Sequence, residues 1–470
     1  MKTHYTFSLL LLLALLITSC SKFLDTDLKS GYTPESFFTT ETNAVQAVNG
    51  CYASLASPRY WIFGDVTSDD AVKGGSPSDQ ASIDQINNFT VLSDDGNIYT
   101  FWQQMYDCIS QCNNVIYYVD KMDIPLKDRL IAEARFIRGY CYFYMINVFG
   151  SVPYKDKPQE TSDAIYVGLS SVEQIYSKIE SDLLAATEYL PYTYSQEQQG
   201  RVTRGAAYAL LAKVYLFEKK YSDCLTAITE VETPNIYDLE PNYSNLFKTG
   251  GENSIEALFA FRYAGDDKVH LGNSYCVYFA PIAQSGYAFN APTQSFVDCF
   301  TEQTVLLETD PRLDASIGRD GHPWFDSLTF SAAWSTATGY LVKKYNEENP
   351  AEIPIGWMTV PTHILRYADV LLMKAEAINE SSGPSLAEVE VNKVRQRAGL
   401  SALSGESQSS LRDKIRVERR RELGFEGHRY FDIVRYGQTY AQAAIGEEGY
   451  TYGYHFPIPQ AEIDANTALH

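Results

Sequence analysis

Trp61, Asp69, Asp70 and Lys73 stand close together in the chain, and Tyr275, Tyr278, Tyr287, Trp324 and Trp334 gather in a later stretch. Indole and phenol rings offer an apolar face with a polar tip. The C–H groups of a sugar ring stack on such a face, while its hydroxyls meet neighbouring carboxylate and ammonium groups. These nine residues are therefore the candidate ligand contacts, set against the commoner role of Trp and Tyr as packing residues. Asp69–Asp70 or Asp94–Asp95 could also be posed as glycosidase carboxylates, but that chemistry needs a defined separation across a cleft. No HExxH, GxxxxGK[ST] or GxSxG occurs, so the expectation is a binder and not an enzyme. The oxygens of Asp69 and Asp70 suit Ca²⁺, yet the stretch lacks the alternating ligands of an EF-hand. No cofactor is expected, calcium being the one candidate. His322, His363, His428 and His455 are scattered singly and predict no metal site.

The elements that must position these residues read as helices. Pro34 to Leu55 carries Phe37, Phe38, Ala44, Val45, Val48, Tyr52 and Leu55 on one face. The pattern breaks from Ser57 to Asp95, and the Gly, Pro and Ser content of Thr67–Asp79 predicts a polar loop. Helical spacing resumes over Phe101–Asp120, Asp128–Phe149 and Ser171–Leu190. Thr203–Val231 reads as a helical hairpin turning at Lys219-Lys220-Tyr221. Small Ala212 and Cys224, with Tyr215 beside them, match a tetratricopeptide-type repeat. Tyr367–Ala377 with Leu386–Ala398 reads as a second hairpin, and two hairpins can share a continuous core. Between them, 235–361 is rich in Gly, Pro and aromatics, with short β-like bursts such as Ala257–Phe261. A structureless loop of that length is improbable, so an irregular inserted lobe is expected. The fold class is mostly α, with helical hairpins packed against a loop-rich second lobe with minor β.

Lys2 precedes an apolar run, Leu9 to Ile17, and then Thr18-Ser19-Cys20. The run is too short to span a bilayer and reads as a secretory signal. Its end is similar to a bacterial lipobox, which puts a lipid on Cys20 and leaves the rest of the chain on a membrane-surface tether. With 38 Lys+Arg against 59 Asp+Glu, the net charge of −21 repels nucleic acid and anionic headgroups. Beyond Cys20, the seven cysteines Cys51, Cys108, Cys112, Cys141, Cys224, Cys276 and Cys299 show no CxxC spacing and read as small buried apolar residues. Aromatics at 13%, with 35 tyrosines, exceed what a helical core needs.

Ordered blocks along nearly the whole chain carry a resemblance. They include Phe23-Leu24-Asp25 after Cys20, Phe37-Phe38-Thr39-Thr40, Ala132-Glu133-Ala134-Arg135-Phe136 and Phe149-Gly150-Ser151-Val152-Pro153. Asp310-Pro311-Arg312-Leu313 and Arg366-Tyr367-Ala368-Asp369 follow. The strongest block is Glu418-Arg419-Arg420-Arg421-Glu422-Leu423 with Phe425-Glu426-Gly427, Arg429 and Asp432. The chain resembles the SusD/RagB outer-membrane lipoproteins of Bacteroidetes. Two terminal features depart from the family pattern: Leu28 where a proline is usual, and an end at Leu469-His470 in place of Asn-Pro-Gly-Tyr. The resemblance implies tetratricopeptide-type helices against a variable lobe, seated as a lid on a SusC-type TonB-dependent transporter, with oligosaccharide capture at the cell surface. Peptide capture, or a purely gating lid, is the alternative. The implied division is a signal peptide 1–19, a lipidated tether 20–33, a helical region 34–234, the lobe 235–361 and a C-terminal region 362–470. Glu133, Arg135, Glu418, Arg420, Glu422 and Arg429, on amphipathic helices, are expected to bridge neighbouring elements.

Overall fold

The computed structural model describes residues 33–55, 59–158, 166–265, 272–325, 327–346 and 358–469. The signal segment, Cys20 and the tether up to residue 32 lie outside the described residues. Among the described residues nine long helices carry the scaffold: α1 (Glu41–Leu55), α2 (Gly96–Val119), α3 (Lys127–Phe149), α4 (Val172–Tyr189), α5 (Arg204–Phe217), α6 (Tyr221–Glu232), α7 (Tyr367–Ser382), α8 (Pro384–Arg397) and α9 (Gln408–Leu423).

Local chemistry sets several of their ends. Asp95 caps α2 by accepting from the backbone N–H groups of Asn97 and Ile98, and Ser171 with Gln174 forms a reciprocal capping box on α4. Pro384 opens α8 directly after Gly383, whose φ of +93° ends α7. The single helix expected from Pro34 is two pieces, Pro34–Phe37 and Glu41–Leu55, broken where Phe38 packs flat on Tyr118 of α2.

Helix α3 is buried almost all round, from Leu130 to Phe149, with α2 on one side and α4 on another. Both expected hairpins form. Ala212 and Cys224 are fully buried where α5 meets α6, and α7 lies on α6 as well as on α8 and α9. Each large apolar side chain removed from water in these contacts contributes roughly 1.5–3 kcal/mol before the entropy of ordering is counted.

Two short antiparallel pairs tie the irregular segment into this scaffold. Strands β1 (Ala71–Gly74), β2 (Ala257–Phe261), β3 (Phe289–Pro292) and β4 (Thr362–Arg366) pair as β1 with β3 and β2 with β4. Segment 235–361 is thus interleaved with the helical regions on either side. One apolar cluster runs through all three, from Ala44 through Phe259 and Phe289 to Phe456.

The polar loop expected over Thr67–Asp79 is a correction. Ile62–Val66 makes a single π-helical turn, fully buried, and Ala71–Gly74 is a strand. Only Ser76–Gln80 has the exposure of a loop. Gly64 lets this turn press on the C-terminal region, because a Cβ there would sit 2.4 Å from the carbonyl oxygen of Gly427. All seven described cysteines are free thiols, six of them buried.

Candidate functional site

Most of the expected ligand contacts are structural. Asp69 accepts two hydrogen bonds from Arg429, at 2.7 and 2.9 Å, and its Oδ2 lies 3.2 Å from Nη1 of Arg420. Asp70, fully buried, accepts from Nε of Arg420 at 2.5 Å. Burial pushes the Asp69 carboxyl up, but Arg429 and then Arg420 outweigh it and hold it below its ordinary range. For Asp70 burial wins and the carboxyl is raised. Two guanidinium groups therefore stand where a calcium ion was considered. Lys73 is 3% exposed and pins its own turn, donating to the carbonyls of Ser76 and Asp79 and pairing with Asp84 at 3.1 Å.

The aromatic expectations divide. Trp61 is 3% exposed, stacked against Phe289 with ring centroids 6.0 Å apart and edge-on to Phe279. Tyr275 is buried against Phe279 and Tyr345. Trp324 is fully buried in a small cluster with Phe330, Leu341 and Ala288. None of these three can offer a ring face to a ligand. Trp334 is half-buried on the edge of the Trp324 cluster.

Tyr278 and Tyr287 are different. Their ring centroids are 6.1 Å apart at 36°, Tyr278 is half-buried and Tyr287 is exposed. Both rest on the buried rings beneath, Tyr278 on Trp61 and Tyr287 on Phe289. The interior residues thus serve as a rigid floor for an accessible pair.

Tyr278 forms one wall of an open groove of about 640 Å³. Much of the rest of the lining is a stripe of α2, where Thr100, Gln103, Gln104, Asp107, Ser110 and Gln111 recur at helical spacing. Ala53 and Ser54 of α1, Arg59 and Ser274 complete the lining. Gln111 donates to the Ser54 hydroxyl at 2.7 Å and Gln104 to the Ser54 carbonyl at 3.3 Å, which sets both amides in place. Arg59 donates to Asn97 Oδ1 at the start of α2. Burial raises the Asp107 carboxyl above its ordinary value.

The α2 stripe was not singled out from the sequence, although its signal is present. A helix face turned to water is usually studded with Lys and Glu, whereas these six positions carry one charge. A second cavity, about 330 Å³, lies between Tyr192–Thr203 and β2. Its tyrosine hydroxyls are already spent: Tyr192 donates to the Glu230 carbonyl, Tyr194 to the Val202 carbonyl, and Tyr237 bonds Thr203.

Away from the groove, the strongest sequence block forms a buried ionic hub on α9. Glu422 accepts from Arg312, Arg366 and Arg397, and Glu418 pairs with Arg312 and Arg395. Glu426 binds Lys344 and Arg366, and Arg419 bridges Asp369 and Asp432. Burial opposes ionisation of Glu426, but Arg366 and Lys344 hold it near 2. These charges join α7, α8 and α9 to the irregular segment, the bridging expected of them. Among the described residues no group of three or more His, Cys, Asp or Glu is arranged to hold a metal.

The helical-hairpin scaffold, tied by short strands to an irregular segment, defines a SusD-like fold. The chain is similar to the SusD family along most of its length. Residues 255–470 match the family described as SusD, and residues 22–216 match one described as "Starch-binding associating with outer membrane". SusD-like protein P2 of Formosa agariphila is 28% identical, over 92% of this chain and 89% of its own. A SusD-like protein of Bacteroides fragilis superposes with a TM-score of 0.80 at 26% identity, covering 93% of this chain and 97% of that one. A laminarin-binding SusD-like protein gives 0.78 at 27%, covering 91% and 98%.

Proposed function

We propose that this chain is a lipid-anchored outer-membrane subunit that captures oligosaccharide and hands it to a SusC-type TonB-dependent transporter. The observation that carries the capture step is the groove itself. The half-buried ring of Tyr278, resting on Trp61, and a row of amide and hydroxyl groups line one groove of about 640 Å³, a combination suited to stacking a pyranose and meeting its hydroxyls. The laminarin-binding relative and the starch-binding family description support a glycan as the ligand. The anchor rests on Cys20 and the apolar run before it. The role is binding without catalysis, with Tyr278 and Tyr287 in place of the wider aromatic set read from the sequence.

The test is a glycan array probed with the domain from Ser21 onward, with a peptide library beside it. A defined oligosaccharide hit, weakened in Tyr278→Ala, is the expected result. Response from the peptides alone would replace glycan capture with peptide capture, and silence from both would leave a gating lid.

A further inference from the structure

The charge of the groove is as informative as its shape. The protein carries a net charge of −21, yet among the described residues the groove walls hold one cation, Arg59, and one anion, Asp107. The remaining polar groups are amides and hydroxyls. A carboxamide presents donors and an acceptor together, as a sugar hydroxyl does, whereas a sulfate or uronate presents acceptors alone. Such anions are met elsewhere by clustered guanidinium or ammonium groups. In this fold the clustered arginines are spent on buried carboxylates of the α9 hub, well away from solvent. An anionic chain entering the groove would also cross the field of a strongly acidic protein, which lowers its local concentration.

We infer that the groove selects uncharged polyhydroxylated chains and excludes sulfated or uronic ones, with Gln103, Gln104 and Gln111 as the specificity-determining residues. This rests on the glycan-capture reading and narrows it. Gln104 and Gln111 donate amide N–H groups to Ser54, so the acceptor each can offer a ligand hydroxyl is its carbonyl oxygen, and the exposed Gln103 adds both donor and acceptor. Tyr278, in the same groove, supplies the stacking ring.

The experiment is calorimetric titration of the domain from Ser21 onward with two panels of hexasaccharides. One holds neutral β-1,3-, β-1,4- and α-1,4-linked glucans, and the other holds alginate and sulfated galactan oligomers. The expected result is binding within the neutral panel, with anionic members at least tenfold weaker. The double variant Gln104→Leu, Gln111→Leu, checked for an unchanged melting temperature, should weaken the neutral ligand at least tenfold, and so should Tyr278→Ala. An anionic hexamer that binds as tightly as any neutral one, and is lost in Tyr278→Ala, would overturn the selectivity while leaving capture intact. Full-strength neutral binding by the double variant would also overturn it. Binding by neither panel would remove the capture reading together with this inference.

Discussion

The Asp69 carboxylate and the Arg429 guanidinium form a two-point pair, Oδ1 to Nε at 2.7 Å and Oδ2 to Nη2 at 2.9 Å, across 360 positions of sequence. It joins the segment entering β1 to the helix Arg429–Arg435, and Arg420 on α9 reaches the same two aspartates. A pair of adjacent acids that looks like a ligand site in the sequence is a clasp between the two ends of the fold.

Asp69→Ala leaves the Arg429 charge buried with only the Tyr440 hydroxyl still facing it. Breaking one side of such a pair costs about 3–5 kcal/mol. Urea unfolding should show that loss, while the folded fraction keeps its affinity for ligand. Weakened binding at unchanged stability would return Asp69 to the ligand contacts.

Tyr278→Ala and Trp324→Ala should separate function from packing. Losing the exposed stacking face of Tyr278 costs about 1.4 kcal/mol of binding, a tenfold rise in Kd, with little change in melting temperature. Trp324 is fully buried, so its truncation costs about 3–5 kcal/mol of stability. Ligand affinity of the surviving folded protein should not move, and titration beside thermal unfolding reads both.

Asp65 gives a pH dependence with a definite sign. Burial raises its carboxyl to about 8, against the hydrogen bonds it accepts from Asn290 and from the backbone of Gly427. The folded state thus holds the proton more tightly than the unfolded chain. The stability this contributes is complete below about 3.8 and is lost as pH rises through about 8. Asp65→Asn cannot ionise, and its amide can donate to Asn290 Oδ1, a buried acceptor without a partner. Relative to the parent, the variant should become more stable as pH rises from 5 to 9. Urea midpoints for the two proteins that stay parallel over that range would contradict the assignment.

Glu422 is the centre of the hub, and removing it exposes three buried guanidinium groups to one another. Glu422→Ala should cost at least about 3–5 kcal/mol and lower the yield of folded protein. Glu422→Gln keeps the volume and two hydrogen-bonding atoms, so it should lose less. Equal melting temperatures for Glu422→Ala and the parent would show that the hub is not a stabilising centre.

How far the sequence could be read depends on the range of the interactions involved. Helix α4, the α5–α6 hairpin with Ala212 and Cys224, and the brief strand Ala257–Phe261 were legible because periodicity and small-residue spacing are local. The charges of Glu418–Glu426 were legible as bridges for the same reason, since long charged side chains on a helix must find partners on its neighbours.

The site was not legible in that way. Whether Trp61 faces a ligand or lies under Phe289 depends on β3 arriving from more than 200 positions away and pairing with β1, and nothing in the residues around Trp61 announces that strand. Asp69 and Asp70 read as solvent-facing until Arg420 and Arg429 are brought to them. The stripe from Thr100 to Gln111, with Asp107 its single charge, stood in the sequence, but only the approach of Ser274 and Tyr278 turns a polar helix face into the wall of a groove. Periodicity and capping act over a few residues and so are written in the chain. Burial and concavity are made by segments distant in sequence, and only the tertiary structure decides them.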